Sequence, residues 1–340
     1  MKLGLLGFSG NSVKSRTDTL GVYRPESNRH IQIYNGKTRF YQFWGQKQVI
    51  DSTNLKSATG LTFKPDGTQV YILADGDNTI YQYNLPVPWD ITSISSITPS
   101  SSAELDSYLR TRTSNNYSLT QPTGVAFSSD GSLMTIVDNF DRKIVQFTLS
   151  IPWTVSSRTF TNTTTDNDRT LWILPSCNSV RDVSFSNDGS KLFALVTNTS
   201  NVMSISQFSL NSGATAFNIG TKGSQNYTII NLLTISSLDT TMRGMDFNNS
   251  GSKLFLSGLT NGQIYDLDLT SPFLWDESNP VTYDNGSFLY DGAIAGREGA
   301  PEAIFINKEG NNMDLYVIGG TNVFGASRQN IIYQYKLIQK

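Results

Sequence analysis

The chain has a single cysteine, Cys177, and a single histidine, His30, in 340 residues. A lone cysteine excludes an internal disulfide framework, so packing must hold the fold. One residue of each type cannot build a Cys/His zinc site. Nucleophile triads need a histidine or comparable base beside the nucleophile. His30 lies ahead of the repeats described below, and neither a Gly-x-Ser-x-Gly elbow nor a phosphate loop of the Gly-x-x-x-x-Gly-Lys-Ser/Thr type occurs. Charge is scarce as well. Asp, Glu, Lys and Arg make up 16% with a formal net charge of −2, against about a quarter in ordinary soluble domains. Lys and Arg are scattered singly, which leaves no basic patch for nucleic acid. No apolar run approaches the length that spans a bilayer, so no membrane insertion is expected. The opening Met1 to Phe8 is too short an apolar run, broken by Gly4 and Gly7, to read as a signal peptide. The expectation is a protein made in a cytoplasm and not exported by the ordinary route.

Ser, Thr, Asn and Gly fill the space that charge leaves, a mix suited to many short strands joined by polar turns. Five segments share one pattern: Gly60 to Gly67, Gly124 to Gly131, Arg181 to Gly189, Gly244 to Gly251 and Ala303 to Gly310. Each carries a marker phenylalanine, at Phe63, Phe127, Phe185, Phe247 and Phe305, and these are 64, 58, 62 and 58 residues apart. A period near 60 kept through five copies is the mark of a repeat architecture. Each copy continues with a turn, typically Asp-Gly, whose backbone suits a hairpin, and then an alternating strand such as Gln69 to Leu73. A third strand follows with an aromatic-polar-aromatic core, as in Ile80-Tyr81-Gln82-Tyr83 and Ile332-Tyr333-Gln334-Tyr335. Next comes a Pro/Trp element carrying Trp89, Trp153 and Trp275, with Phe217 in that place in the third copy. These aromatics read as blade-to-blade packing. A small residue before the first strand allows close approach near a central axis.

Together these features predict an all-β fold, a single β-propeller of five four-stranded blades. Residues 1–30 form an N-terminal extension and 31–340 the propeller, with repeats near 54–115, 116–178, 179–238, 239–298 and 299–340. The fourth strand falls in the Ser/Thr-rich connector, for instance from Ile91 to Ile97. The fifth copy stops after its third strand, so residues 46–53 are expected to pair with it and close the ring, removing exposed edges. Six blades is the alternative, because Tyr41-Gln42-Phe43 imitates the third-strand motif and His30 to Trp44 reads as an Asn35-Gly36 hairpin.

The Gly-x-x-Phe-x-x-Asp-Gly hairpin, the Ile-x-Gln-Tyr-x-Leu strand and the Pro/Ala-Trp/Phe-Asp element resemble a propeller-repeat family common among proteins of marine bacteriophages and some marine bacteria. The resemblance covers about residues 54–340. It implies a virion-associated propeller, a tail, fibre or capsid-surface subunit assembled in a host cytoplasm and placed in a larger assembly. It implies non-enzymatic contacts with other virion proteins through the N-terminal arm and the propeller rim, and with a host-surface glycan or receptor. No cofactor is implied.

Carboxylates are the remaining chemistry. Asp75, Asp77, Asp138 and Asp141 lie between second and third strands, where Asp is favoured by turn geometry and where oxygen ligands for Ca²⁺ also collect. Asp182, Asp246 and Glu302 fall near first strands. From there they could form an inward ring for a metal-dependent hydrolase, lactonase-like, or for a small-ligand site, the second functional class. Cys177 reads as a structural thiol. At the start, Leu5, Leu6 and Phe8 form a small apolar hook on a Gly/Ser-rich arm, a candidate anchor on a neighbouring subunit. A chain beginning near residue 28 is then expected to fold but not to enter particles, and normal incorporation would defeat the anchor.

Overall fold

A blade of this kind is a small twisted sheet with apolar side chains on both faces, so it is stable only between neighbours. In the computed structural model five antiparallel sheets stand around one axis as a five-bladed propeller. The structure describes residues 29–34, 37–48, 57–96, 98–106, 118–160, 171–174, 177–210, 216–219, 227–232, 239–260, 263–275, 288–289, 301–307, 312–319 and 331–339. The anchor candidates Leu5, Leu6 and Phe8 lie outside them.

Blade one runs outward through Ala58–Phe63, Gln69–Ala74, Thr79–Asn84 and Ser101–Glu104. Blade two runs through Pro122–Phe127, Leu133–Asp138 and Lys143–Leu149, and its outer edge is shared by Arg158–Thr159 and Leu171–Ile173. Blade three is Cys177–Phe185, Lys191–Asn198, Met203–Ser209 and Tyr227–Asn231, and blade four is Met242–Phe247, Lys253–Gly258, Gln263–Asp268 and Phe288–Leu289. Blade five takes Ala303–Asn307, Asn312–Ile318 and Ile331–Gln339 from the end of the chain and Lys37–Gln48 from its beginning.

The ring therefore closes as expected, with the N-terminal strand beside the C-terminal one, but with a longer and earlier segment than residues 46–53. Pairing runs from Arg39 opposite Gln339 to Gln48 opposite Ile331, with an irregularity between Phe43 and Gly45. Arg29–Tyr34 then folds back on Lys37–Gln48, Tyr34 opposite Lys37. The Asn35-Gly36 hairpin that suggested a sixth blade supplies instead a fourth and a fifth strand to blade five. The fourth strand of blade one is also displaced from the expected Ile91 to Ile97. Asp90 accepts from the Thr92 N–H (2.9 Å) and caps a 3-10 turn over Ile91–Ser93, so the strand begins only at Ser101.

The Asp-Gly hairpins are wider than a two-residue turn. Gly67 N–H donates to Lys64 C=O (2.8 Å), closing a β-turn, and Gly67 itself is left-handed at φ +72°. Asp66 accepts from the Thr68 N–H (3.0 Å), so the carboxylate fastens the turn while glycine alone takes the unusual backbone. A side chain at Gly67 would collide with the ring of Trp89, and Gly131, Gly189 and Gly251 lie in the same way under Trp153, Phe217 and Phe273. Each of these aromatics is itself left-handed, at φ +64°, +63°, +62° and +49°. That conformation costs about 1–2 kcal/mol in a bulky residue. Their N–H groups donate to the underlying glycine carbonyls at 2.9 to 3.0 Å and offset part of the strain.

Two marker positions differ from the repeat alignment. The aromatic over glycine in blade four is Phe273; Trp275 sits two residues further on, buried at 6% exposure, in the slot that Ile91, Val155 and Ile219 hold elsewhere. Blade five is offset by one residue. Phe305 is opposite Tyr316, as Thr62 is opposite Tyr71, so the equivalent of Phe63 is the buried Ile306. The markers do pack between blades. Phe63 lies 4.4 Å from the Tyr316 ring, Phe127 4.6 Å from Tyr71 and Phe247 4.6 Å from Phe193, ring centre to ring centre, each partner belonging to the preceding blade. Phe185 meets Phe217 of its own blade instead, because the preceding blade has Thr135 in the partner slot.

The glutamine at the centre of the third strand makes the joint between blades at four of the five interfaces. Gln146 donates to the Phe217 carbonyl (2.8 Å) and accepts from the Ile219 N–H (3.2 Å) of blade three. Gln334 of blade five does the same to Trp89 (2.7 Å) and Ile91 (3.3 Å) of blade one. Gln82 accepts from Val155 and Gln207 from Trp275, both at 3.2 Å. The carbonyls left over are taken by Tyr71 on Trp153 (2.8 Å) and Lys191 on Phe273 (2.9 Å). Replacing Gln146 by Met orphans two buried backbone groups, each worth about 1–3 kcal/mol. Urea unfolding of Gln146→Met is expected to show a loss of about 2–4 kcal/mol, and a loss under about 0.5 kcal/mol would show that the clasp is not a joint.

Candidate functional site

The inner strands of all five blades line one central cavity of about 350 Å³. At its upper end, where first strands turn into second strands, stand Pro65, Ser129, Asn187, Asn249 and Asn307. The first four share one slot in successive hairpins, and three of them are uncharged polar residues. Below it the repeats place Thr62, Ala126, Ser184, Asp246 and Phe305 at matching positions. Close approach of the inner strands explains the small residues. A Cβ at Gly124 would lie 2.7 Å from the Asp182 Cα, and one at Gly244 2.8 Å from the Ile304 backbone nitrogen.

Asp182 and Asp246 do line the cavity, as their position near first strands implied, but their oxygens are engaged. Asp182 accepts from the Val183 N–H (2.8 Å) with one oxygen and from the Met245 N–H (2.7 Å) of blade four with the other. Asp246 repeats this with Phe247 (2.9 Å) and Ile306 (2.8 Å) of blade five. Each carboxylate thus covers an inner-strand edge amide that would otherwise face the channel unpaired. Glu302 is not part of this pair. It stands at the lower end of the channel, 3.7 Å from the Nε of Arg243. The inward carboxylate ring is therefore not formed, and no group of three His, Cys, Asp or Glu side chains placed to hold a metal occurs among the described residues.

The calcium candidates are distributed over two separate turns. Asp138, fully buried, accepts from the N–H groups of Gln121 (2.8 Å) and Asp141 (2.7 Å). Asp141 faces the Lys143 ammonium at 2.9 Å and accepts from the Ser118 hydroxyl (3.1 Å). In blade one Asp77 accepts from the Tyr81 hydroxyl, and burial raises the pKa of both Asp75 and Asp77. Raised values oppose the ionised state a cation site needs. Cys177 is buried, and burial pushes its thiol up to about 11, so it is not a nucleophile near neutral pH.

No family model matches the chain, and no curated protein does. Among solved structures it is similar to a luciferin-regenerating enzyme, at 10% identity over 84% of this chain and 92% of that one, TM-score 0.43. It is also similar to the periplasmic gluconolactonase of Pseudomonas aeruginosa, at 11% identity over 75% of this chain and 66% of that one, TM-score 0.39. The β-propeller domain of Myceliophteria thermophila Cps50 (Swd1) gives 9% identity over 84% and 70%, TM-score 0.38.

Sequence reasoning missed the interblade role of the third-strand glutamines and the role of Asp182 and Asp246 as backbone covers. A signal for the first was present: glutamine recurs there in four copies, and the remaining one, in blade four, has Asp266. For Asp182, burial pushes the carboxyl well above the ordinary value of 3.8, with the nearby Asp246 adding to the rise against the two N–H donors. A raised folded-state value stabilises the protonated form. The residue's contribution is therefore complete below the ordinary aspartate value and is lost as pH rises through the raised one. Asp182→Asn is expected to remove this downward slope in unfolding free energy from about pH 4 upward. An unchanged slope in pH-dependent urea titrations would place the shift elsewhere.

Proposed function

We propose that the protein is a non-catalytic binding and assembly subunit, a virion component as its repeat family implies, that works through the faces and rim of a rigid disc. One observation carries this reading: the two channel carboxylates, the groups best placed for chemistry, spend both oxygens on backbone amides of the same and the next blade. The outer surface supports it too. Val87 and Ile151 occupy the same slot in the Pro/Trp turns of adjacent blades and are 52% and 60% exposed. Pro86, Pro88 and Pro152 beside them are exposed as well. On the opposite face Phe140 is 73% exposed at the turn between second and third strands. Exposed apolar groups repeated at neighbouring positions suit contact with another protein. Tail, fibre and capsid surface are each consistent with such a disc, and a host-surface glycan would meet the same loop-rich rims.

Mass spectrometry of purified particles is expected to find the protein at a fixed ratio to the major structural protein. Its absence from particles would sink the virion reading. Ile151→Asp, a surface change expected to leave stability within about 0.5 kcal/mol, should lower that ratio if the Pro/Trp face is the contact. Incorporation at the wild-type ratio would move the contact to another face.

A further inference from the structure

Each of the first four inner strands carries a bulge at one shared position near its lower end, shown by register shifts between Ala58 and Gly60, Pro122 and Gly124, Val180 and Asp182, and Met242 and Gly244; blade three has a second shift between Cys177 and Ser179. The extra residues are Thr59, Thr123, Arg181 and Arg243. Glu302 stands at the matching place in blade five, just before Ala303 opposite Ile318. A bulge re-aims its side chain and is often found beside functional sites. Here four bulged residues and Glu302 form a ring around the lower mouth of the channel.

Around that ring Thr59, Thr123 and Arg243 reach to the next blade, and Arg181 does not. Thr59 donates to the Pro122 carbonyl (2.7 Å) and Thr123 to the Val180 carbonyl (3.0 Å). Arg243 faces Glu302 at 3.7 Å through Nε, a nitrogen that is buried and has no hydrogen-bond acceptor. Among the described residues Arg181, half-buried, has neither a hydrogen bond nor an ion pair, and the neighbour along the ring is a second cation. Burial, with Arg243 beside it, pulls Arg181 down to about 10 while Glu302 opposes the fall. A partly desolvated guanidinium without an acceptor is unfavourable on its own, and placing a like charge next to it adds to the penalty. A structural role would be met by threonine, as in blades one and two.

We propose that Arg181 and Arg243 form a receptor for the carboxylate of a small organic acid at the lower mouth of the channel. The planar forked donors of guanidinium match a planar carboxylate. Two arginines and Glu302 sum to one positive charge, which suits a monoanion. A phosphate dianion would bring surplus negative charge toward Glu302 and the buried Asp182. The receptor is separate from the assembly role, because it uses no residue of the Pro/Trp face.

Sodium acetate, titrated against sodium chloride at equal ionic strength, tests this by thermal unfolding of the full chain. Acetate is expected to raise the midpoint saturably, by about 2 °C, and chloride to leave it unchanged. Arg181→Thr, which installs the residue of blades one and two, is expected to abolish the response. Arg181→Lys, which keeps the charge and loses the fork, should weaken acetate binding at least about fivefold. Arg181→Gln serves as the charge-free variant if the threonine form does not fold. An equal shift with chloride, or an acetate response that survives both Arg181→Thr and Arg181→Gln, overturns the receptor. A larger response to phosphate than to acetate overturns the choice of carboxylate. A protein that enters particles yet ignores acetate would defeat this inference alone.

Discussion

The whole disc depends on one joint: the backbone of a left-handed aromatic turn clasped by the third strand of the blade before it. Stacked sheets bury apolar surface without direction, so packing alone leaves the rotation between blades poorly fixed. The hydrogen bonds that Gln146 donates to Phe217 and accepts from Ile219, and that Gln334 donates to Trp89 and accepts from Ile91, fix it, because they are buried and have a narrow geometry. The aromatic must take positive φ to present those groups, and its glycine must lack a Cβ for the ring to lie down. Turn, aromatic and glutamine are thus one device spread over two blades, which is why all three recur together in the sequence.

The exception is informative about the device. Blade five receives its outer strand from the start of the chain, so no Pro/Trp turn joins its third and fourth strands. Blade four, which would clasp that turn, has Asp266 where the others have glutamine, and Asp266 lies 3.5 Å from Lys253 of its own blade. The glutamine disappears where its partner does. What joins blades four and five instead is the Asp246 carboxylate on the Ile306 N–H and an apolar cluster of Phe255, Ile304, Ile306 and Val317.

Fold and blade count were legible because they rest on local signals that repeat: turn glycines, period-two alternation and aromatic spacing. Errors came where a local signal had two readings. Trp275 and Phe273 lie two residues apart, and only the backbone twist at Phe273 decides which ring covers Gly251. Ile91 to Ile97 alternates like a strand, but Asp90 begins a 3-10 turn there. Asn35-Gly36 announces a hairpin correctly yet cannot say which sheet receives it. The site was less legible still. Asp182 beside a first strand has the composition of a ligand, and only the amide of Met245, more than sixty residues away in the chain, shows what its second oxygen does.

A closed ring places two demands on its inner strands that pull apart. They must crowd, which favours glycine and threonine, and they must leave no unpaired edge amides facing the channel. Blades one and two meet the first with Gly60 and Gly124, and the hydroxyls of Thr59 and Thr123 tie their inner strands to backbone carbonyls of the next blade. Blades three and four use longer groups, Asp182 and Asp246 on amides and Arg181 and Arg243 at the bulges. The aspartates are fully explained by the backbone they cover. Of the arginines, Arg243 engages Glu302, while Arg181 makes no hydrogen bond or ion pair among the described residues. Structural need therefore accounts for every charged group on the described inner strands except one guanidinium, and that residue is where a role beyond holding the ring together has to be sought.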